Sequence, residues 1–343
     1  MPAEELDGLR LLGLDCLEKA EFVQTSSIDA FKGGRIESVE KRRKALHDCS
    51  LLLLHRVTKV SLMANAKSQS EVQKACREIS ECTEWLLSFL KAFPISQGKT
   101  LFENLKLSLI DIYVDIAVLC NSFLDEKLDI PGKFSFPIAT GMSWKSVKSL
   151  QDIPLTNANA VQISVLTQKA LLEDLVCELD EYRQQAGSQD DGWKDLLEDN
   201  VYEEDETPMT SEELETVRQV QSVAKLCIVL FKKLDRILAN SDDDVALQIA
   251  SLSLDTPDLD TPGNKYECMD NLVPACANIT RILDDVACQL QSPLPILEIS
   301  TGIKEVTDEM KDICTSAAGI ISDSERGWFD LMCTKIEQIK LSF

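Results

Sequence analysis

The stretch Gly98–Phe123, GKTLFENLKLSLIDIYVDIAVLCNSF, limits what this chain can become more than any other. Leu105, Leu109, Ile112, Ile116, Leu119 and Phe123 follow one another at intervals of four and three, the spacing of one apolar seam along a helix. Phe102, Ile110, Tyr113, Ala117 and Leu124 form a second stripe beside it. A helix with two apolar stripes needs neighbours on both sides, so it belongs inside a bundle. Lys106, Asp111 and Asp115 interrupt it often enough to exclude a membrane span. Thr100 and Glu103 stand in T-x-x-E order, which predicts a capping box at the helix start. At ~1.5 Å per residue the helix is roughly 35 Å long, a length its partners must match.

The same period recurs along the chain. Ala3–Val23 carries Leu6, Leu9, Leu12, Leu17 and Phe22, and Ile36–Ala66 places Leu46, Cys49, Leu53, Val57 and Val60 on one face. Ser68 and Glu71 form a second T/S-x-x-E box before Val72, Cys76, Ile79, Leu86 and Leu90. Asp129–Gly141, with two prolines and two glycines, predicts a loop, and Met142–Leu150 a short helix carrying Trp144. Asn157–Gln185 returns to helical spacing through Val161, Val165, Leu172, Leu175 and Leu179. Further on, Thr210–Glu213 and Ser322–Glu325 complete the set of capping boxes. Seams run through Val220–Ile237, Leu272–Leu290 and Ile299–Ile320, and Pro274 predicts that the middle one starts near Asp270 or kinks early. No stretch alternates with period two. The fold class is all-α.

At 343 residues, two domains are the better expectation. Between Ser188 and Glu206 nine acids stand against Lys194 alone, a composition that cannot bury enough to fold by itself. The division read here is therefore an N-terminal bundle over 1–187, an acidic linker over 188–209 and a C-terminal bundle over 210–343. Ser241–Gly263 reads as a second acidic insert, with a short helix at Asp244–Leu252.

A net charge of −23, from 35 basic and 58 acidic residues, constrains the partners. Nucleic-acid affinity comes from neutralising phosphates with a basic face, so no direct nucleic-acid partner is expected. Anionic membranes are disfavoured for the same reason, and basic protein surfaces are suited. The 12 cysteines are scattered singly, with no C-x-x-C, and MPAEELDGLR lacks a signal-peptide core. They read as buried free thiols in a reducing compartment.

Chemistry is scarce. His47 and His55 are eight apart, too far for the i, i+4 pair of a metal site, and Asp242-Asp243-Asp244 lacks the spacing and glycine of a calcium loop. No nucleotide, hydrolase or metalloprotease motif is present. No catalytic, cofactor or metal residue is assigned, and the chain is not expected to be an enzyme. Lys41-Arg42-Arg43-Lys44 is the one dense basic run, a candidate nuclear import signal; the plainer account is a solvated face balanced by Glu37 and Glu40. Trp193, Leu196 and Leu197 form an apolar cluster in the acidic linker, suited either to dock in a partner's groove or to pin the linker to its own bundle. Thr207, Thr256 and Thr261 each precede proline, and Ser241 precedes three aspartates; these are candidate phosphorylation sites, or simple turn chemistry.

Gln97-Gly98-Lys99-Thr100-Leu101 before a helix with Asp111-Ile112, Trp144 before Ile153-Pro154 and Asn157, Leu196-Leu197 in an acidic linker, and Trp328 with Leu331 and Ile336 occur together. This pattern resembles the cyclin-D-binding protein family, also called GCIP, over most of the chain. The resemblance implies two helical bundles of the talin/vinculin class and a non-catalytic regulator of nucleus and cytoplasm. It implies restraint of cell-cycle progression and transcription through cyclin D and helix-loop-helix partners. Val72–Lys91 and Thr100–Phe123, joined by a short turn, read instead as two members of one bundle. The alternative from another class is a cytoskeleton-linked adaptor, by analogy of fold. It is disfavoured because the last helix offers only Lys335 and Lys340 as a basic face.

Overall fold

The computed structural model describes residues 3–26, 31, 39–66, 69–93, 95, 98–124, 134–187, 209–251, 262–321 and 323–339. Among them the regular structure is entirely α-helical, in ten helices. These are α1 (Ala3–Thr25), α2 (Val39–Ala66), α3 (Gln69–Lys91), α4 (Lys99–Phe123), α5 (Phe136–Ser149), α6 (Asn157–Gly187), α7 (Ser211–Ser251), α8 (Pro262–Cys288), α9 (Ile296–Ala318) and α10 (Asp323–Glu337). The all-α reading holds.

The chain forms two compact units, 1–160 and 161–343. In the first, α1 packs on α4, α4 on α5, α5 on α2, α2 on α3 and α3 back on α1, so the helices close into a ring. The two apolar stripes read from the sequence explain the place of α4. Phe102, Leu109, Ile112, Tyr113, Ile116, Ala117 and Cys120 are fully buried, and the whole helix has a wide apolar surface to cover. Ring closure also separates neighbours in sequence: α3 and α4 follow one another directly but share little surface.

Several polar groups inside the ring are paired in one network. Lys19 on α1 is only 6% exposed; its Nζ donates to Asp15 Oδ2 at 2.6 Å and to Thr83 Oγ1 of α3 at 3.1 Å. Ser80 Oγ donates to the same Asp15 oxygen at 2.8 Å, and Tyr113 OH of α4 donates to the Thr83 carbonyl at 3.2 Å. Three helices are thus tied by one connected network.

Two local expectations need correction in this unit. The short helix predicted at Met142–Leu150 is longer, beginning at Phe136. Pro137 sits in its first turn, where a missing N–H costs nothing, and a Cβ at Gly141 would meet no atom within 4 Å. The Thr100–Glu103 capping box is not what starts α4. The N-cap is Gly98, with φ 127°, and the Leu101 N–H is taken by Asn157 Oδ1 at 3.1 Å.

In the second unit α8 and α9 pack closely because Gly302 faces Val286: an added Cβ would lie 2.5 Å from Val286 Cγ2. Pro274 lies inside α8 without starting it, correcting the expected boundary; the helix begins twelve residues earlier, at Pro262. From Val161 on, α6 belongs with the second unit, and side chains tie it there. Gln162 Nε2 donates to Asp235 Oδ1 at 2.7 Å, Lys232 Nζ meets Glu173 Oε1 at 3.3 Å, and Tyr182 OH donates to the Leu290 carbonyl. Helical spacing through Asn157–Gln185 gives an element but not the neighbour it joins. The acidic stretch 188–208 lies outside the described residues.

The Thr210–Glu213 capping box is formed as expected. Thr210 N–H donates to Glu213 Oε2 at 2.8 Å, and Glu213 N–H to Thr210 Oγ1 at 3.2 Å. Glu213 also accepts from Ser292 Oγ at 3.1 Å and from Leu294 N–H at 3.2 Å, so one carboxylate fixes both the start of α7 and the α8–α9 connection. The Thr210 N–H, with the Leu294 N–H, holds this carboxyl below its ordinary value despite some opposing desolvation. A folded value lowered in this way gives stability that is present above the unfolded value of 4.5 and is lost as pH falls through the folded one.

Three outcomes are expected. Ile112→Asp, a charge in the ring's centre, costs about 3 kcal/mol or more in chemical denaturation; a Tm within a degree of wild type would contradict the central place of α4. Asn157→Ala, which strips the α4 cap, costs about 1–2 kcal/mol by the same measurement. Glu213→Ala costs about 1 kcal/mol at neutral pH, and the Tm gap to wild type narrows as pH falls below 4.5. A gap that stays constant down to acid would show that the charge is not what matters.

Candidate interaction site

The motifs with the most specific spacing, Q-G-x-T-L and I-P-x-x-N, are 52 residues or more apart in sequence, and Gly98 of the first meets Asn157 of the second in space. An added Cβ at Gly98 would lie 1.9 Å from Asn157 Cγ, and φ 127° is a backbone conformation only glycine takes freely. Asn157 is itself 1% exposed and caps the α4 N-terminus. Beside this junction Arg42, Phe93, Leu101, Leu105, Ile153 and Pro154 line a small apolar recess. The motif is therefore a structural clasp, closed by backbone geometry and an amide, with no nucleophile or acid–base pair in it.

The basic run does not behave as one unit. Lys41, Arg43 and Lys44 are exposed on the first turns of α2, but Arg42 is only 7% exposed, with its guanidinium 5.5 Å from the centre of the Phe93 ring. Helical geometry turns one residue in four inward here, and a cation over an aromatic face stabilises it. Arg42 thus belongs to the recess, leaving three side chains displayed.

Trp193, Leu196, Leu197, Thr207, Thr256 and Thr261 lie outside the described residues. Ser241 falls within α7, which continues to Ser251. The turn expected at Ser241–Asp244 is therefore helical backbone; Val245-Ala246-Leu247-Gln248 are ordinary helix formers that carry the helix past the aspartates.

Sequence reasoning did not single out the surface of α2 and α5. Ser61 Oγ lies 3.3 Å from Thr140 Oγ1, and Gln151 Nε2 donates to Ser50 Oγ at 2.9 Å, so the two helices run antiparallel in register. The first contact places Leu62, 61% exposed, and Ile138, 55% exposed, at the same end of the pair. Trp144 is exposed one turn further along α5, and Leu51 and Leu52 at the opposite end of the pair. Lys145, Lys148 and His55 add basic or titratable groups to an otherwise acidic chain. The run Leu51–Leu54 was the available signal: four consecutive leucines cannot all face one core from a helix.

A second opening lies between α1 and α3, lined by Leu11, Leu12, Asp15, Gln73, Arg77 and Ser80. Its floor is already satisfied by the Lys19–Asp15–Ser80 bonds. Among the described residues no group of three or more His, Cys, Asp or Glu is gathered as a metal site would require, and no helix is long and apolar enough to cross a membrane.

Residues 45–185 match the family model described as Grap2 and cyclin-D-interacting, N-terminal. That segment is similar to the GCIP N-terminal domain. No curated protein matches the chain. The matched segment contains most of α2 and all of α3, α4 and α5, hence the Gly98–Asn157 clasp and the α2/α5 surface; α1, one wall of the second opening, lies outside it.

Arg42→Ala is expected to lower stability by about 1 kcal/mol through lost packing against Phe93, whereas the combined Lys41→Ala, Arg43→Ala and Lys44→Ala change leaves Tm within a degree or two. Equal thermal shifts for the two variants would remove the distinction drawn between them.

Proposed function

We propose that this chain is a non-catalytic regulatory protein that binds a D-type cyclin through the exposed apolar surface of α2 and α5. The match of residues 45–185 to a domain described as cyclin-D-interacting is the observation that carries this reading. The property shared by that domain should rest on residues inside it. Leu62, Ile138 and Trp144 meet that condition, and exposed aromatic and aliphatic anchors of this kind dominate the energy of helical interfaces. Binding to helix-loop-helix factors and a restraining role in cell-cycle progression and transcription extend the same reading. Residence in both nucleus and cytoplasm belongs to it too, with Lys41, Arg43 and Lys44 as the displayed import residues.

Two measurements test this. Titration of the purified full chain with a purified D-type cyclin should give saturable binding. Trp144→Ala or Leu62→Asp should weaken it at least ~10-fold, the loss expected for an anchor worth more than about 1.4 kcal/mol. Absence of wild-type binding would overturn the reading, and binding unaffected by both variants would move the interface elsewhere. For a reporter fusion, the triple alanine change at Lys41, Arg43 and Lys44 should reduce nuclear accumulation; an unchanged distribution returns these residues to an ordinary solvated face.

A further inference from the structure

The antiparallel packing of α2 on α3 is held in register by two ion pairs. Lys59 Nζ lies 2.6 Å from Glu71 Oε2, and Arg56 Nη1 lies 2.8 Å from Glu78 Oε2. Followed backwards along α2 from Lys59 through Arg56, the partners advance along α3 from Glu71 through Glu78. Two turns further back along α2 and one turn further along α3, the same register sets Cys49 against Cys82. Both face the helix interface: Cys82 is 8% exposed, and Cys49 is half-buried against the core. Each thiol is the other's strongest electrostatic neighbour, which pushes Cys49 up and Cys82 down. Most of the other thiols, such as Cys16, Cys120, Cys227 and Cys276, are sealed in the core, where burial pushes them far above the range in which a thiolate forms.

We propose that Cys49 and Cys82 are an oxidisable pair that closes a reversible disulfide between α2 and α3 in response to hydrogen peroxide. Cys82 is the attacking sulfur. The Cys49 S–H and the Arg56 guanidinium favour its thiolate, against burial and the carboxylates of Glu81 and Glu78, and its acidity is raised on balance. The Cys82 thiolate displaces hydroxide from peroxide, giving a sulfenic acid and reducing the peroxide by two electrons. The Cys49 sulfur then attacks the Cys82 sulfur, the S–O bond breaks, and the hydroxyl leaves as water with the Cys49 proton. A dithiol such as reduced thioredoxin, or two molecules of reduced glutathione in turn, reverses the bond by exchange and is itself oxidised to a disulfide. The bridge would lock together two helices that both lie in the matched segment, on one side of the ring, without calling on any residue of the proposed partner surface.

The sequence makes the test unambiguous. Trypsin releases Cys49 in the peptide 45–56 and Cys82 in 78–91, each with no other cysteine. The full chain, reduced and then freed of reductant, is treated with stoichiometric hydrogen peroxide, alkylated and mapped by mass spectrometry without reduction. The expected product is peptide 45–56 joined to 78–91 with the loss of two hydrogens, abolished by dithiothreitol. In Cys49→Ser, Cys82 should be trapped as the sulfenic acid by dimedone, and in Cys82→Ser the Cys49 thiol should remain alkylatable. Arg56→Gln should slow bridge formation several-fold with the helical circular dichroism unchanged. Recovery of both wild-type peptides fully alkylated, or bridges spread at random over the cysteines, would overturn the proposal. Oxidation of Cys49 at the wild-type rate in Cys82→Ser would overturn the assignment of the attacking sulfur. Loss of cyclin binding bears only on the partner reading, so the two fail separately.

Discussion

The N-terminus of α4 is the point on which the first unit depends. The first N–H groups of a helix have no partner within it, and inside a packed bundle water is not at hand to satisfy them. Here Asn157, far away in sequence, supplies an oxygen to Leu101 N–H. It can do so only because Gly98 has no Cβ, since the space a methyl would fill is the amide of Asn157. One contact therefore seats the most buried helix, brings the start of α6 against it, and fixes the segment around Ile153 and Pro154 that lines the neighbouring recess. The ring of helices has no sheet edges to hold it in register, so a clasp of this kind, together with the Lys19–Asp15–Ser80–Thr83 network, supplies directional constraints that apolar packing alone lacks.

The same economy appears in the second unit, where Glu213 serves three purposes at once. It completes a capping box, accepts from the α8–α9 connection, and keeps its charge because N–H groups point at it. A surface carboxylate in a mere ion pair would contribute little, but one that receives backbone donors from two separate elements couples their ordering. In a chain of net charge −23, placing a negative charge where donors need it relieves part of the repulsion that the remaining acids create.

What the surface offers is suited to proteins as partners. Leu62, Ile138 and Trp144 stand exposed around a helix pair whose contact face is polar, Ser61 to Thr140, and thus tightly registered. A firm backbone beneath exposed anchors lowers the ordering cost of binding. The thiol pair sits on the next helix contact of the ring, α2 on α3, and a bridge there would stiffen one side of α2 while its other side faces α5.

Period alone determined a good deal. Every seam of apolar residues spaced three and four apart, from Leu9 on α1 to Ile313 on α9, became a helix, because such spacing buries on one face only in that conformation. The Thr210–Glu213 box was also legible, since both partners lie within one turn and need nothing from elsewhere. The Thr100–Glu103 box has the same letters yet is displaced by Asn157, a competitor 56 residues away that no local pattern announces. Likewise Pro274 and Pro137 suggested boundaries by their own preferences, and packing overrode the first while the first helical turn accommodated the second. The inward turn of Arg42, the allegiance of α6 from Val161 onwards and the meeting of Cys49 with Cys82 belong to tertiary structure for one reason. A helix's period says which residues share a face, but only the neighbours it finds decide what that face touches.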